Sequence, residues 1–145
     1  MKQFVVFSLF VTGLLLAACS EKAEDSYAPV YERMAFDPAT AHVGDSVTAT
    51  VIQSSKGHGL AGTDYVWNIS YAYLDKNMVA KDTTVQIRKH TNYDGLDDSD
   101  PSVKFLVPEN CASTTINVRM NASFDAYIGY VPFMKAEKSG SLRII

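Results

Sequence analysis

The sequence predicts an all-β fold, a single Ig-like antiparallel β-sandwich of about seven strands. Apolar and polar residues alternate with a period of two over several short runs that are rich in β-branched and aromatic residues. Gly, Pro, Asn, Asp or Ser bound these runs, and no stretch longer than a turn or two shows the 3.6-residue period of a helix. Seven such runs in about 115 residues are typical of an antiparallel sandwich.

The runs follow one another with turn signals between them. In chain order, the predicted strands cover residues 30–36, 47–51, 65–71, 84–88, 103–107, 116–124 and 142–144. The first is the least regular and the last is the shortest. Trp67 lies in the centre of the third run, and its large flat ring predicts that it fills the space between the two sheets.

The amino-terminal segment is a signal rather than part of the fold. Lys2 gives it a positive start, and residues 4–16 form an apolar run that is shorter than the ~20 residues of a spanning helix. The sequence Leu16-Ala17-Ala18-Cys19 at its end resembles the lipobox of bacterial lipoproteins. This resemblance implies cleavage before Cys19 and lipidation of Cys19, with an acyl chain such as palmitate. The alternative is an ordinary secretory signal with a chance cysteine.

The predicted cleavage divides the chain into three parts. Residues 1–18 are the signal peptide, residues 19–29 are the lipidated cysteine and a flexible tether, and residues 30–145 are the Ig-like domain. Cleavage removes 18 of the 145 residues and leaves 127, which suits one domain. Ser20, rather than aspartate, follows Cys19, and in lipoproteins this favours the outer membrane of a Gram-negative bacterium. The acidic residues that follow resemble surface-export signals, so cell-surface and periplasmic orientations both stay open.

Charge and cysteine content exclude several classes of protein. The net charge of −3 argues against nucleic acid as a partner. The chain has two cysteines, and assigning Cys19 to the lipid leaves Cys111 unpaired, so no intramolecular disulfide is expected. A lone buried thiol behaves mostly as a small apolar side chain.

Three segments resemble the Ig-like domains of the PKD type found in bacterial surface proteins. They are Ala41-His42-Val43-Gly44-Asp45-Ser46-Val47-Thr48, Tyr65-Val66-Trp67 and Val103-Lys104-Phe105-Leu106-Val107-Pro108. Together they span most of the mature chain. The resemblance implies a β-sandwich at the bacterial surface.

One loop carries an acidic cluster, Asp94, Asp97, Asp98 and Asp100. Calcium accepts several flexible oxygen ligands and is the natural counterion for such a cluster. The spacing does not match the EF-hand loop, and the alternative is a solubilising loop that blunts a sheet edge. No other cofactor is expected, because His42, His58 and His90 show no metal-ligand spacing.

The segment 124–134 carries three aromatic residues, Tyr127, Tyr130 and Phe133, at every third position. Long loops at the end of a sandwich are where such folds bind partners, and aromatic faces stack on sugars or anchor proteins. The alternative is that the segment is partly strand and that its aromatic side chains cover the core.

These features predict a lipid-anchored envelope or cell-surface binding module of the adhesion type, without catalytic activity, whose ligand is a glycan or a protein. The alternative is a structural spacer or accessory subunit of an outer-membrane assembly. A small hydrolase is the least favoured reading, because the chain has no Gly-x-Ser-x-Gly elbow, phosphate-binding loop or Cys-x-x-Cys.

Overall fold

The computed structural model describes residues 26–92, 100–126 and 134–145, and these form eight strands and no helix. The strands are β1 (Val30–Asp37), β2 (Thr40–Ala41), β3 (Ser46–Ser55), β4 (Leu60–Leu74), β5 (Ala80–Asn92), β6 (Ser102–Leu106), β7 (Thr115–Ala126) and β8 (Met134–Ile144). One sheet has three strands in the order β1-β3-β6, and the other has five in the order β2-β8-β7-β4-β5. The predicted all-β sandwich is confirmed.

Strand β4 is the longest and organises the larger sheet. It pairs in antiparallel with β5 from Gly62↔Asn92 to Leu74↔Ala80, and with β7 on its other side. The one parallel pair in the described chain joins β2 to β8. Strand β2 is the strand that the sequence does not predict, since two residues are too short to show a period of two.

The core lies between the two sheets and is built from alternate residues of the strands. Trp67 is fully buried, which confirms its predicted place. On β7 every second side chain is buried, from Ile116 to Phe124. The three-stranded sheet contributes Val47, Ala49, Val51, Val103 and Phe105. Each large apolar side chain in this layer stabilises the fold by about 1.5–3 kcal/mol.

Strand β8 is much longer than the predicted run 142–144. Its inward-facing positions include Lys138 and Gly140, so the apolar alternation is interrupted where the strand continues. A methyl group on Gly140 would lie 2.9 Å from Met34 Cβ and 3.1 Å from Phe36 Cε2. A glycine is required here because β1 of the opposite sheet approaches the β8 backbone closely.

The domain begins before the predicted boundary at residue 30. Ser26 is buried, and its hydroxyl donates a hydrogen bond of 2.7 Å to the Gly59 carbonyl. Tyr27 exchanges two backbone hydrogen bonds with His58, and the two rings stack with centroids 5.5 Å apart. Residues 26–29, which the sequence assigns to the flexible tether, therefore pack against the β3–β4 connection.

Candidate functional site

The outer face of the five-stranded sheet is a broad polar surface. Side chains alternate between the two faces of a strand, so the residues between the buried ones point outward. We call the central outward-facing positions of β4, β5, β7 and β8, four on each strand, the polar face: Asp64, Val66, Asn68, Ser70, Thr84, Gln86, Arg88, His90, Asn117, Arg119, Asn121, Ser123, Lys135, Glu137, Ser139 and Ser141. Within this set, Val66 is the one apolar side chain.

Hydrogen bonds between directly opposite side chains hold parts of this face in place. Gln86 Nε2 donates to Asn68 Oδ1 at 3.1 Å, and Ser141 Oγ donates to Asn117 Oδ1 at 2.8 Å. Both bonds use an amide oxygen as acceptor. The Nδ2 groups of Asn68 and Asn117 keep their donors, and no hydrogen bond from either group to a described residue is present.

The middle of the polar face is recessed into a cleft of about 640 Å³. Short serine side chains on β4 and β8 leave room between the longer side chains of β7. The polar side chains that line it, apart from Arg119, are Asn68, Asn117, Asn121, Ser70, Ser139 and Ser141. A second recess of about 400 Å³ adjoins it and shares Ser70 and Asn117 with it.

Arg119 carries the only charge among the residues that line the larger cleft. It is exposed and lies directly opposite Asn68 on β4 and Ser139 on β8. Glu137 lies diagonally across from it on β8, opposite Asn121, but no ion pair joins the two charges. Within the described residues, the Arg119 guanidinium has neither a salt bridge nor a hydrogen bond.

The lining of this cleft offers many hydrogen-bond donors and acceptors. Each asparagine amide offers two donors and an acceptor, and each serine hydroxyl donates and accepts. The lining residues include no histidine, cysteine or carboxylate that would act as a nucleophile or general base. A ligand rich in hydroxyl groups matches this set of donors and acceptors.

The three histidines have separate neighbours. His42 Nδ1 lies 3.5 Å from Asp45 Oδ2, His58 stacks on Tyr27, and His90 Nδ1 lies 2.6 Å from Asp64 Oδ1. Among residues 26–92, 100–126 and 134–145, the structure brings together no group of three or more His, Cys, Asp or Glu side chains that could hold a metal.

The acidic cluster proposed for calcium lies mostly outside the described residues, since Asp94, Asp97 and Asp98 fall in 93–99. Asp100 is half-buried, and its Oδ1 accepts hydrogen bonds from the backbone N and the side-chain Nε2 of Gln53, at 2.9 and 3.3 Å. This carboxyl oxygen ties the segment before β6 to β3. Calcium binding at the cluster stays a prediction.

Both ends of the aromatic segment 124–134 belong to strands, since β7 extends to Ala126 and β8 begins at Met134. Phe124 belongs to β7, is 4% exposed, and pairs with Met134 of β8. The buried ring of Phe124 continues the alternation of β7, as the predicted run 116–124 implies, and the ends of the segment fit the alternative that it is partly strand. Tyr127, Tyr130 and Phe133 lie outside the described residues, as does Cys19.

Cys111 lies in the connection between β6 and β7, where it forms an isolated bridge with Tyr73. It is half-buried, and its sulfur lies 3.9 Å from the Ser113 carbonyl oxygen. Burial raises the pKa of the nearby Tyr71 hydroxyl, and the charges of Cys111 and Tyr73 add to the increase. The thiol packs beside tyrosines rather than in the polar cleft.

Sequence reasoning missed the polar cleft and placed the binding residues in the aromatic segment. A sequence indication of the cleft is present in the outward-facing positions of β4 and β7. These positions carry Asn and Ser instead of the mixture of Lys and Glu typical of a solvated face. The cross-strand pairing that places these residues together joins positions about 50 residues apart, so spacing along the chain does not show it.

Comparison with known proteins adds little to this description. No protein-family model matches the chain, and no curated protein matches its sequence. Among solved structures, the fold is similar to the crystal structure of Spo0M, a sporulation control protein from Bacillus subtilis, with a TM-score of 0.39 and 11% identity. The similar region covers 81% of this chain but only 49% of that protein. None of the described residues forms a helix long and apolar enough to span a membrane.

Proposed function

We propose that the protein is a non-catalytic glycan-binding module, held at the bacterial envelope by a lipid on Cys19. The observation that carries the proposal is the cleft of about 640 Å³ on the five-stranded sheet, with its lining of three asparagines and three serines. The lipid anchor rests on the lipobox-like Leu16-Ala17-Ala18-Cys19.

The lining favours a glycan over a protein as ligand. Sugar hydroxyls both donate and accept hydrogen bonds, as do the asparagine amides and serine hydroxyls. The cores of protein–protein interfaces are instead enriched in aromatic residues, methionine and arginine, and of these the polar face carries only arginine. The regular strands and the hydrogen bonds of Asn68 and Asn117 keep part of the lining in place before binding, which reduces the entropy lost on association.

A binding role is favoured over hydrolysis because the lining contains no carboxylate. Glycoside hydrolysis generally uses a pair of Asp or Glu side chains on either side of the scissile bond. The proposed envelope location rests on the signal-like segment at residues 1–18 and on the lipobox-like sequence that ends at Cys19. The outer membrane is the expected location, since Ser20 rather than aspartate follows the lipidated cysteine.

A glycan array followed by calorimetry tests the proposal. The mature lipidated chain, in detergent, is compared with the triple variant Asn68→Ala, Asn117→Ala, Asn121→Ala. We expect the variant to lose at least about tenfold in affinity, because each lost hydrogen bond contributes about 0.5–1.5 kcal/mol. The control variant Glu32→Ala, Lys104→Ala alters exposed residues of the other sheet and should bind like the wild type.

Two results would contradict the proposal. The first is an array on which no glycan binds, which would favour the structural spacer instead. The second is equal affinity of the wild type and the triple variant, with matching thermal unfolding curves, which would place the ligand elsewhere. The anchor is tested separately by Cys19→Ser, which should move the protein from the membrane fraction to the soluble one.

A further inference from the structure

We infer that the cleft selects acidic glycans, and that Arg119 binds the carboxylate or sulfate group of one sugar residue. This inference rests on the proposed function, because it names the class of glycan that the same cleft takes.

Arg119 lies at the centre of the cleft. Strand β7 runs between β4 and β8, and Arg119 is paired with Asn68 on one side and Ser139 on the other. Asn117 and Asn121 precede and follow it on the same face of β7, each about 7 Å away along the strand. A glycan that follows β7 would place one sugar at the guanidinium and would meet an amide on either side.

The guanidinium is available to a ligand. It makes no ion pair or hydrogen bond to any described residue, although Glu137 lies diagonally across from it. It is also the only charged group in the lining, so the cleft has a net positive charge. The planar guanidinium carries paired N–H donors in the geometry of a carboxylate or sulfate group, and such charge-assisted hydrogen bonds are about twice as strong as neutral ones.

Two neighbouring amides, those of Asn68 and Asn117, keep both N–H donors, whereas each amide oxygen already accepts one hydrogen bond. Asn68 Oδ1 is occupied by Gln86 on the β5 side, and Asn117 Oδ1 is occupied by Ser141 on the β8 side. The oxygen and nitrogen of a carboxamide point in different directions, so both Nδ2 groups are left for a ligand. Two amide donors beside an unpaired guanidinium favour an oxyanion over a neutral hydroxyl.

Calorimetry with matched sugars tests the inference. One pair of probes is oligogalacturonate and its methyl ester, which differ in the carboxylate charge. A second pair is a sulfated galactan oligosaccharide and its unsulfated form. We expect the wild-type mature chain to bind the acidic member of at least one pair at least about tenfold more tightly, and the preference to weaken with added salt. The pair of probes that shows the preference identifies the acidic group that the cleft binds, a carboxylate or a sulfate.

Variants of Arg119 then test whether this arginine causes the preference for acidic glycans. Arg119→Gln should reduce the ratio of acidic to neutral affinity to nearly one, and Arg119→Lys should retain part of it, because it keeps the charge but loses the bidentate geometry. Arg143→Gln is the matched control, since Arg143 is exposed on β8 outside the lining of the cleft. It should keep the wild-type ratio.

The outcomes separate this inference from the proposed function. Equal affinity for both members of every pair, with binding lost in the triple asparagine variant, would overturn the role of Arg119 and leave glycan binding intact. An acidic preference that survives Arg119→Gln would also overturn it. Failure of every probe and every array glycan to bind would overturn both.

Discussion

Thr63 of β4 provides a direct test of the packing, because its hydroxyl is buried without a partner. The side chain is 1% exposed and faces the core, with Thr91 and Phe124 opposite it on the adjacent strands. Its Oγ1 has no hydrogen bond to any described residue. We therefore predict that Thr63→Val stabilises the protein, since valine keeps the β-branched shape and replaces the hydroxyl with a methyl group.

The magnitude follows from two contributions. A buried hydroxyl without a hydrogen bond costs about 1–3 kcal/mol on the scale of protein mutations. The added methyl group gains up to about 0.8 kcal/mol of apolar burial, part of which is lost in fitting the larger group into the existing space. We expect the free energy of unfolding to rise by about 1–2 kcal/mol, which corresponds to an increase of roughly 3–10 °C in Tm.

Urea and thermal unfolding, followed by the fluorescence of Trp67, measure this change. Trp67 is the only tryptophan in the chain and is fully buried, so its emission reports loss of the core. Thr115→Val is the control, because Thr115 is exposed on β7 and the change should stay within about ±0.5 kcal/mol. A loss of stability of 1 kcal/mol or more in Thr63→Val would refute the reasoning and show that the hydroxyl is satisfied, for example by a buried water.

Three further predictions concern other parts of the fold. Gly140→Ala should destabilise the protein by about 1–3 kcal/mol in urea unfolding, because the new Cβ would lie 2.9 Å from Met34 Cβ. The Lys81 ammonium and the backbone N–H groups of the turn lower the pKa of Asp75, so its contribution to stability is present above about pH 4 and is lost as the pH falls through the lowered value. Asp75→Asn should therefore lower Tm at neutral pH and have little effect near pH 2. Burial raises the pKa of Tyr71, so stability should begin to fall above about pH 10, and an absorbance titration should show Tyr71 ionising late.

Each of these predictions has a contrary result. Unchanged stability of Gly140→Ala would mean that β1 and β8 separate easily. A Tm difference for Asp75→Asn that is the same at pH 2 and pH 7 would show that the carboxylate charge is not responsible. For Tyr71, the late-ionising absorbance should decrease in Tyr71→Phe, and an unchanged late absorbance would assign it to another tyrosine.

Much of the fold was accessible from the sequence because strand formation leaves a local pattern. Val47, Ala49 and Val51 alternate with threonines, and the same period marks β7 from Ile116 to Phe124. The alternation of apolar and polar residues is absent from much of β8, because Lys138 and Gly140 occupy inward positions. The strand is therefore not recognisable from the sequence there. Strand β2 is not predictable from the sequence for a different reason. It has only two residues, and pairing with β8 holds them in the sheet.

The candidate site was less predictable than the fold. Aromatic residues in the segment 124–134 are a conspicuous feature of the sequence, whereas single Asn, Ser and Arg residues on separate strands are not. Asn68, Arg119 and Ser139 become neighbours only when β4, β7 and β8 pair in the observed register. A shift of register by one residue would turn each of these side chains toward the core.

The alternation of apolar and polar residues is enough to predict an all-β sandwich and the burial of Trp67, because it dictates which side of each strand avoids water. The tertiary structure alone shows that Ser26 packs against Gly59, that β2 joins β8, and that amides from β4 and β7 lie beside Arg119 in one cleft. These features depend on contacts between residues far apart in the chain. The energies of these contacts come from pairing across strands, and the local sequence does not show which strands pair.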